Sequence, residues 1–298
     1  RARSRRKPDR LLLSLLLLVA LVLPFFLDVS AWVRLPQASL NEEPFAALEA
    51  AMRRLRPRDL VLVGFEYGPT AAGELDALAE TLLTRVLLER ARPVVISTNP
   101  AGILHARDLL ATLAQDPLLL ARLGRPPDRP LTMPADYVIL SYLPGGVVGL
   151  RALTATSTEV NALDRGIFAV DLQGNPTGLN VRFLQVSFDL VLTLAERAED
   201  VRLWVEQVGT VVDLPLAAGV SLAAEPVARQ YVDSGQLIGL LAGYRDAYSY
   251  DRALQEALPP VTPLPPGSGV EGPSDSGGEL ALLPTPTADC LLPTNTPL

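Results

Sequence analysis

The chain contains one cysteine, one histidine and one lysine in 298 residues. With Cys290 alone, an internal disulfide and a cysteine-based zinc site are both excluded. With His105 alone, a histidine-rich metal centre is excluded, and a Ser-His-Asp triad would have to be built on that residue. No G-x-S-x-G segment supplies the serine for one. His105 falls inside a helical pattern away from the strand ends, so it reads as structural or surface, and Cys290 reads as incidental. Gly64, Gly68 and Gly73 match neither G-x-G-x-x-G nor a Walker loop. Basic charge is scarce where a polyanion would need it. The first ten residues carry +5 and the remainder −12, which argues against a nucleic-acid partner. The near-total use of arginine over lysine is read as the trace of a GC-rich genome and points to a bacterium.

What is present is apolar residue, at 49%, enough for one sizeable core. Residues 11–27, LLLSLLLLVALVLPFFL, hold no charge. A spanning helix needs ~20 apolar residues, with a lower limit near ~17. Arg1, Arg3, Arg5, Arg6, Lys7 and Arg10 precede the run, while Asp28, Glu42 and Glu43 follow it. By the positive-inside rule, residues 1–10 are a cytoplasmic basic segment, 11–28 a single transmembrane anchor, and the main domain is extracytoplasmic. A cleavable signal peptide is the alternative, with Val29-Ser30-Ala31 at the cleavage position. Both readings export the domain.

Residues 29–58 read as a lead-in segment with a helix over 42–55. From 59 to 257 strands alternate with helices, which predicts an α/β domain. Its sheet should be mostly parallel with helices on both faces, Rossmann-like or flavodoxin-like. Strands are expected at Leu60–Phe65, Pro93–Ser97, Asp136–Ser141, Ile167–Val170, Phe188–Leu194 and near Gly219–Leu222. Asn99-Pro100 starts a helix. Val201, Trp204, Val205 and Val208 lie on one helical face, and a long final helix is expected over 235–257. Residues 258–298 contain ten prolines and read as a disordered stalk.

In open parallel sheets ligands bind beyond the carboxyl ends of the strands. Three loops there supply the candidate ligand-binding residues: Glu66, Tyr67, Thr70, Glu74 and Asp76 after strand one; Ser97 and Asn99 after strand two; Tyr142, Gly145 and Gly146 after strand three. Helix N-termini in one crevice would suit a carboxylate or phosphate. The alternatives are a divalent metal or an acid/base pair on Glu66, Glu74 and Asp76, and plain turn chemistry. Gly235, Gly239, Gly243 and Ala247 recur every fourth residue, so a single helix would present a flat face. That face would serve a homodimer or internal packing.

Five segments together carry a resemblance: EYGPTAAGELD (66–76), STNPAG (97–102), DYVILSYLPGG (136–146), WVEQ (204–207) and SGQLIGLLAG (234–243). The sequence resembles a group of bacterial, Chloroflexi-like membrane-anchored α/β proteins with no assigned function. The likeness covers 59–257 and the anchor. It implies an exported domain and no mechanism, catalytic residue or cofactor. A binding, sensing or assembly module is therefore expected ahead of a metal-dependent hydrolase or transferase.

Overall fold

Leu60-Val61-Leu62-Val63 and Pro93-Val94-Val95-Ile96 are short apolar runs bounded by charge, glycine or polar residues, and they form neighbouring buried strands. The computed structural model describes residues 6–26, 40, 45–154, 167–179, 187–212 and 214–260. Six strands make one sheet: β1 (Leu60–Glu66), β2 (Arg92–Ile96), β3 (Val138–Ile139), β4 (Phe188–Ala195), β5 (Leu216–Val220) and β6 (Gly239–Ala242). All pairings are parallel, in the order β3-β2-β1-β4-β5-β6. This is the Rossmann-like order, and it excludes the flavodoxin-like one. The order reverses between β1 and β4, so a crevice opens beyond their carboxyl ends.

Helices cover both faces. On one face lie α2 (Ala46–Met52), α3 (Ala72–Leu88), α4 (Pro100–Leu113), α5 (Pro117–Arg122) and α9 (Gly243–Ala257). They share a core with Val61, Val63, Phe65 and Tyr67. On the other lie α6 (Val147–Leu153), α7 (Ala198–Trp204, continued by a π-helical turn over Val205–Gly209) and α8 (Glu225–Asp233). These pack on Leu62, Val94, Val191 and Ala218. The period of two in β1 thus sends Tyr67 to the first face and Glu66 to the second. The lead-in helix α2 docks by Leu48, whose backbone and Cβ lie so close to Gly239 that a Cβ there would meet Leu48 Cβ at 2.8 Å.

A buried ion pair locks α2 to α3 and α9. Arg85 Nε and Nη2 donate to Glu49 Oε2 and Oε1 at 3.0 and 2.9 Å, and Tyr250 Oη donates to Glu49 Oε2 at 2.8 Å. Burial pushes the Glu49 carboxyl up. The bonds from Arg85 and Arg53, the Arg85 charge and the Tyr250 bond outweigh it and hold Glu49 below its ordinary value.

Several expectations are corrected. The predicted final helix 235–257 is instead a turn, a strand and a helix. Gly235 and Gly243 take φ of +75° and +68°, and Gly239 sits in β6. A continuous α-helix cannot hold two left-handed residues, so the flat face on Gly235, Gly239 and Gly243 does not exist. Residues 167–170, expected as a strand, form a helical turn and one antiparallel bridge, Val170 to Pro176. The third strand is shorter than expected, Val138–Ile139 alone. Helix α1 (Arg6–Phe26) carries the leucine-rich run, with Leu12, Leu16 and Leu21 exposed. Among the described residues no helix is long and apolar enough to cross a membrane. The predicted tail lies outside the described residues from 261 onward.

Candidate functional site

The carboxyl edge of the sheet is organised by glutamates. β1 ends on Glu66, whose carboxylate turns under α7 and is buried. It accepts from Thr98 N at 2.9 Å, from Thr98 Oγ1 at 2.6 Å and from Trp204 Nε1 at 3.1 Å. Trp204 reaches it because Gly64 has no side chain: a Cβ there would lie 2.3 Å from the indole Cζ2. Burial raises the Glu66 carboxyl above its ordinary value, against the opposing bonds from Thr98 and Trp204.

β4 ends beside it, and the next residue, Glu196, reaches across to the loop after β1. Gly68 N donates to Glu196 Oε2 at 3.0 Å, and Thr70 Oγ1 donates to Oε1 at 2.7 Å. Those bonds hold the Glu196 carboxyl below the usual range, the Gly68 amide contributing most. The same device recurs along the edge. Leu222 N donates to Glu74 Oε1 at 2.8 Å, and Ala242 N donates to Asp246 Oδ2 at 2.9 Å. A ligand phosphate or carboxylate would have to displace one of these internal carboxylates from the loop amides it needs.

Between these loops lies a crevice of about 510 Å³. Its wall is formed by Glu66, Thr98, Asn99 and Pro100, by Gly146 and Val147 at the start of α6, and by Glu196, Arg197, Glu199, Asp200 and Leu203. Among the described residues, the one cation of that wall is engaged: Arg197 Nη2 and Nε donate to Asp200 at 2.9 and 3.1 Å. The wall is therefore acidic and suits a ligand that brings positive charge or hydrogen-bond donors.

Of the expected site residues, Glu66, Asn99 and Gly146 meet at this crevice. Asn99 caps α4, its Oδ1 accepting from Ala101 N at 3.0 Å. Ser97 is buried beneath, its hydroxyl bonded to the Phe65 and Asn99 carbonyls. Thr70 serves Glu196. Gly145 and Gly146 take φ of +96° and +53° in the turn into α6. Tyr142 is exposed and not part of the crevice wall.

Tyr67 and Asp76 lie on the opposite face of the sheet's edge. Tyr67 Oη donates to Asp76 Oδ1 at 2.7 Å, and His105 Nδ1 lies 3.5 Å from the same oxygen. The Tyr67 and His105 rings pack at 5.1 Å between centroids. His105 is thus not remote from the strand-one loop, as helical spacing suggested; α4 runs back beside α3 and brings it there. Glu66, Glu74 and Asp76 have separate partners. Among the described residues no group of three or more His, Cys, Asp or Glu side chains could hold a metal ion.

Sequence reasoning missed Thr98, Trp204, Glu196 and Asp200. The signal for Glu196 was a carboxylate directly after an apolar strand, but only the strand order places that strand next to β1. No protein-family model, curated protein or solved structure matches the chain.

Proposed function

We propose that this chain is a ligand-binding module tethered to a bacterial membrane. The ligand sits in the carboxyl-edge crevice at the β1–β4 switch point, and it carries an ammonium group or comparable hydrogen-bond donors. The observation that carries this reading is Glu66: a carboxyl buried at the foot of the crevice, where burial outweighs its three donors. A cationic group placed against it would relieve the cost of its charge. The internal carboxylates on the loop amides speak against an anionic ligand. The metal-dependent reading required Glu66, Glu74 and Asp76 to converge, and their separate partners give it no support.

Tethering rests on the uncharged run 11–27, the basic residues before it, and the exposure of Leu12 to Val22 on all sides of α1. External protease added to intact cells would digest the domain beyond residue 28 if this orientation holds, and would leave it untouched if the domain is cytoplasmic. Ligand class is tested by thermal shift of the full chain against organic amines, polyamines, nucleosides and small carboxylates. Amines raise the melting temperature of wild type and raise that of Glu66→Gln much less. Stabilisation by carboxylates alone overturns the assignment.

A further inference from the structure

The amino edge of the sheet holds a second feature, at the other end of the strands from the crevice, roughly 20 Å away along β1 by strand rise. A cavity of about 590 Å³ there is walled by Arg58, Arg90, Arg92 and Arg125, with Asp136 as the single acidic residue among the described ones. In a body that is acidic overall this concentration of guanidinium groups is anomalous. Asp136 offsets only one of these charges, because its carboxylate is taken by both terminal nitrogens of Arg125 and by Thr132 N at 2.8 Å.

Backbone strain marks the same place. Among the described residues only two other than glycine have a left-handed backbone, Arg58 at φ +76° and Arg90 at φ +57°. The two turns are joined directly, Arg58 N donating to Arg90 O at 2.8 Å. Glycine would adopt both conformations without strain, whereas a side chain there costs about 1 kcal/mol or more. Folding alone favours glycine at these positions; arginine puts two cations on the rim. Arg92 adds an unmet donor: its Nη2 bonds to Thr177 O at 2.7 Å, while its Nε is buried without a partner. Burial lowers the Arg92 pKa, with the Asp136 charge opposing, so its cation gains from an incoming anion.

We infer that this cavity is an anion site for a phosphoryl group, on a soluble phosphate compound or on a lipid headgroup, held by Arg58, Arg90 and Arg92. Planar guanidinium groups bind phosphate oxygens in pairs, which suits a cluster of this kind. The site is independent of the ligand crevice and stands or falls separately.

The test uses the full chain in phosphatidylcholine nanodiscs, read by melting temperature and by hydrogen exchange over residues 87–92. Inorganic pyrophosphate probes the soluble source, and phosphatidic acid in the discs probes the lipid source. At least one raises the melting temperature and protects 87–92; which one does identifies the source. Arg58→Gly and Arg90→Gly remove cations while relieving the strained backbone. Without ligand they melt at or above wild type, yet they weaken the effective probe about tenfold each, a loss of one charge-assisted contact. Arg107→Gln, at an exposed position of α4, leaves binding unchanged. Failure of both probes on wild type overturns the site. So does wild-type affinity in both glycine variants, or equal weakening by Arg107→Gln.

Discussion

Gly102 stands where the first turn of α4 crosses the end of β1. An alanine methyl there would lie 2.0 Å from the Phe65 carbonyl oxygen and 2.6 Å from Ser97 Oγ. Ordinary contact between such atoms is about 3.5 Å, so helix and strand must part by about 1 Å or more. Neither obstacle is a flexible side-chain tip: one is strand backbone, the other a hydroxyl held by two carbonyls. Overpacking of a close-packed interior costs about 1–3 kcal/mol, and pulling Ser97 from an acceptor adds about 1 kcal/mol. The expected total for Gly102→Ala is about 3 kcal/mol. For a domain of this size that lowers the melting temperature by about 6–12 °C. Calorimetry and urea unfolding measure it, with an unchanged m-value showing that the denatured state is unaffected. Gly73→Ala is the control: no atom lies within 4 Å of its new methyl, and its helical backbone accepts alanine. It should be neutral or stabilise by about 0.5–1 kcal/mol. If Gly102→Ala fell within about 0.5 kcal/mol of wild type, the close crossing of α4 over β1, and with it the seating of Thr98 on Glu66, would be refuted.

Breaking the buried pair through Glu49→Ala leaves Arg85 with Glu89 as its remaining acidic partner, and should cost about 2–3 kcal/mol in urea unfolding. Because the folded Glu49 carboxyl lies below its ordinary 4.5, its contribution is present above that pH and is lost as pH falls through the folded value. Unfolding midpoints measured from pH 6 down to 3 should converge between wild type and Glu49→Gln. Glu66 has the opposite sign: its folded carboxyl lies above 4.5, so wild-type stability falls as pH rises from there through the folded value. Glu66→Gln lacks that fall, and parallel pH profiles for the two proteins would contradict its burial as a charge. Gly64→Ala should drive Trp204 off β1, seen as a red-shifted tryptophan emission, because its methyl would meet the indole at 2.3 Å.

The strands that build the centre of the sheet were legible because their burial is local: β1 and β2 hold short continuous runs of Val, Leu and Ile flanked by polar or charged residues, and β4 holds one interrupted only by Thr193. β6 was not, because Gly235, Gly239 and Gly243 mimic a helical stripe at four-residue spacing. The apolar run Leu237–Ala242 between two glycines was the better guide. Two of those glycines end and begin helices with a left-handed backbone, which spacing cannot reveal. At the site, Glu66 was found from its place at the end of β1. Its partners Trp204 and Thr98 and its neighbour Glu196 were not, since they depend on strand order and on Gly64 admitting an indole. The expectation of an anion at the helix starts followed from the dipole rule. It did not anticipate that carboxylates from neighbouring loops take those amides.

The central assignment is that Glu66 is a buried carboxyl awaiting a cationic group in the crevice. Carbon-13 detection of the Glu66 side-chain carboxyl, titrated with pH in the absence and presence of a bound amine, tests it most directly. The carboxyl should titrate above 4.5 in the free protein and move to lower pH when the amine binds. An ordinary titration that the amine leaves unmoved would contradict the account.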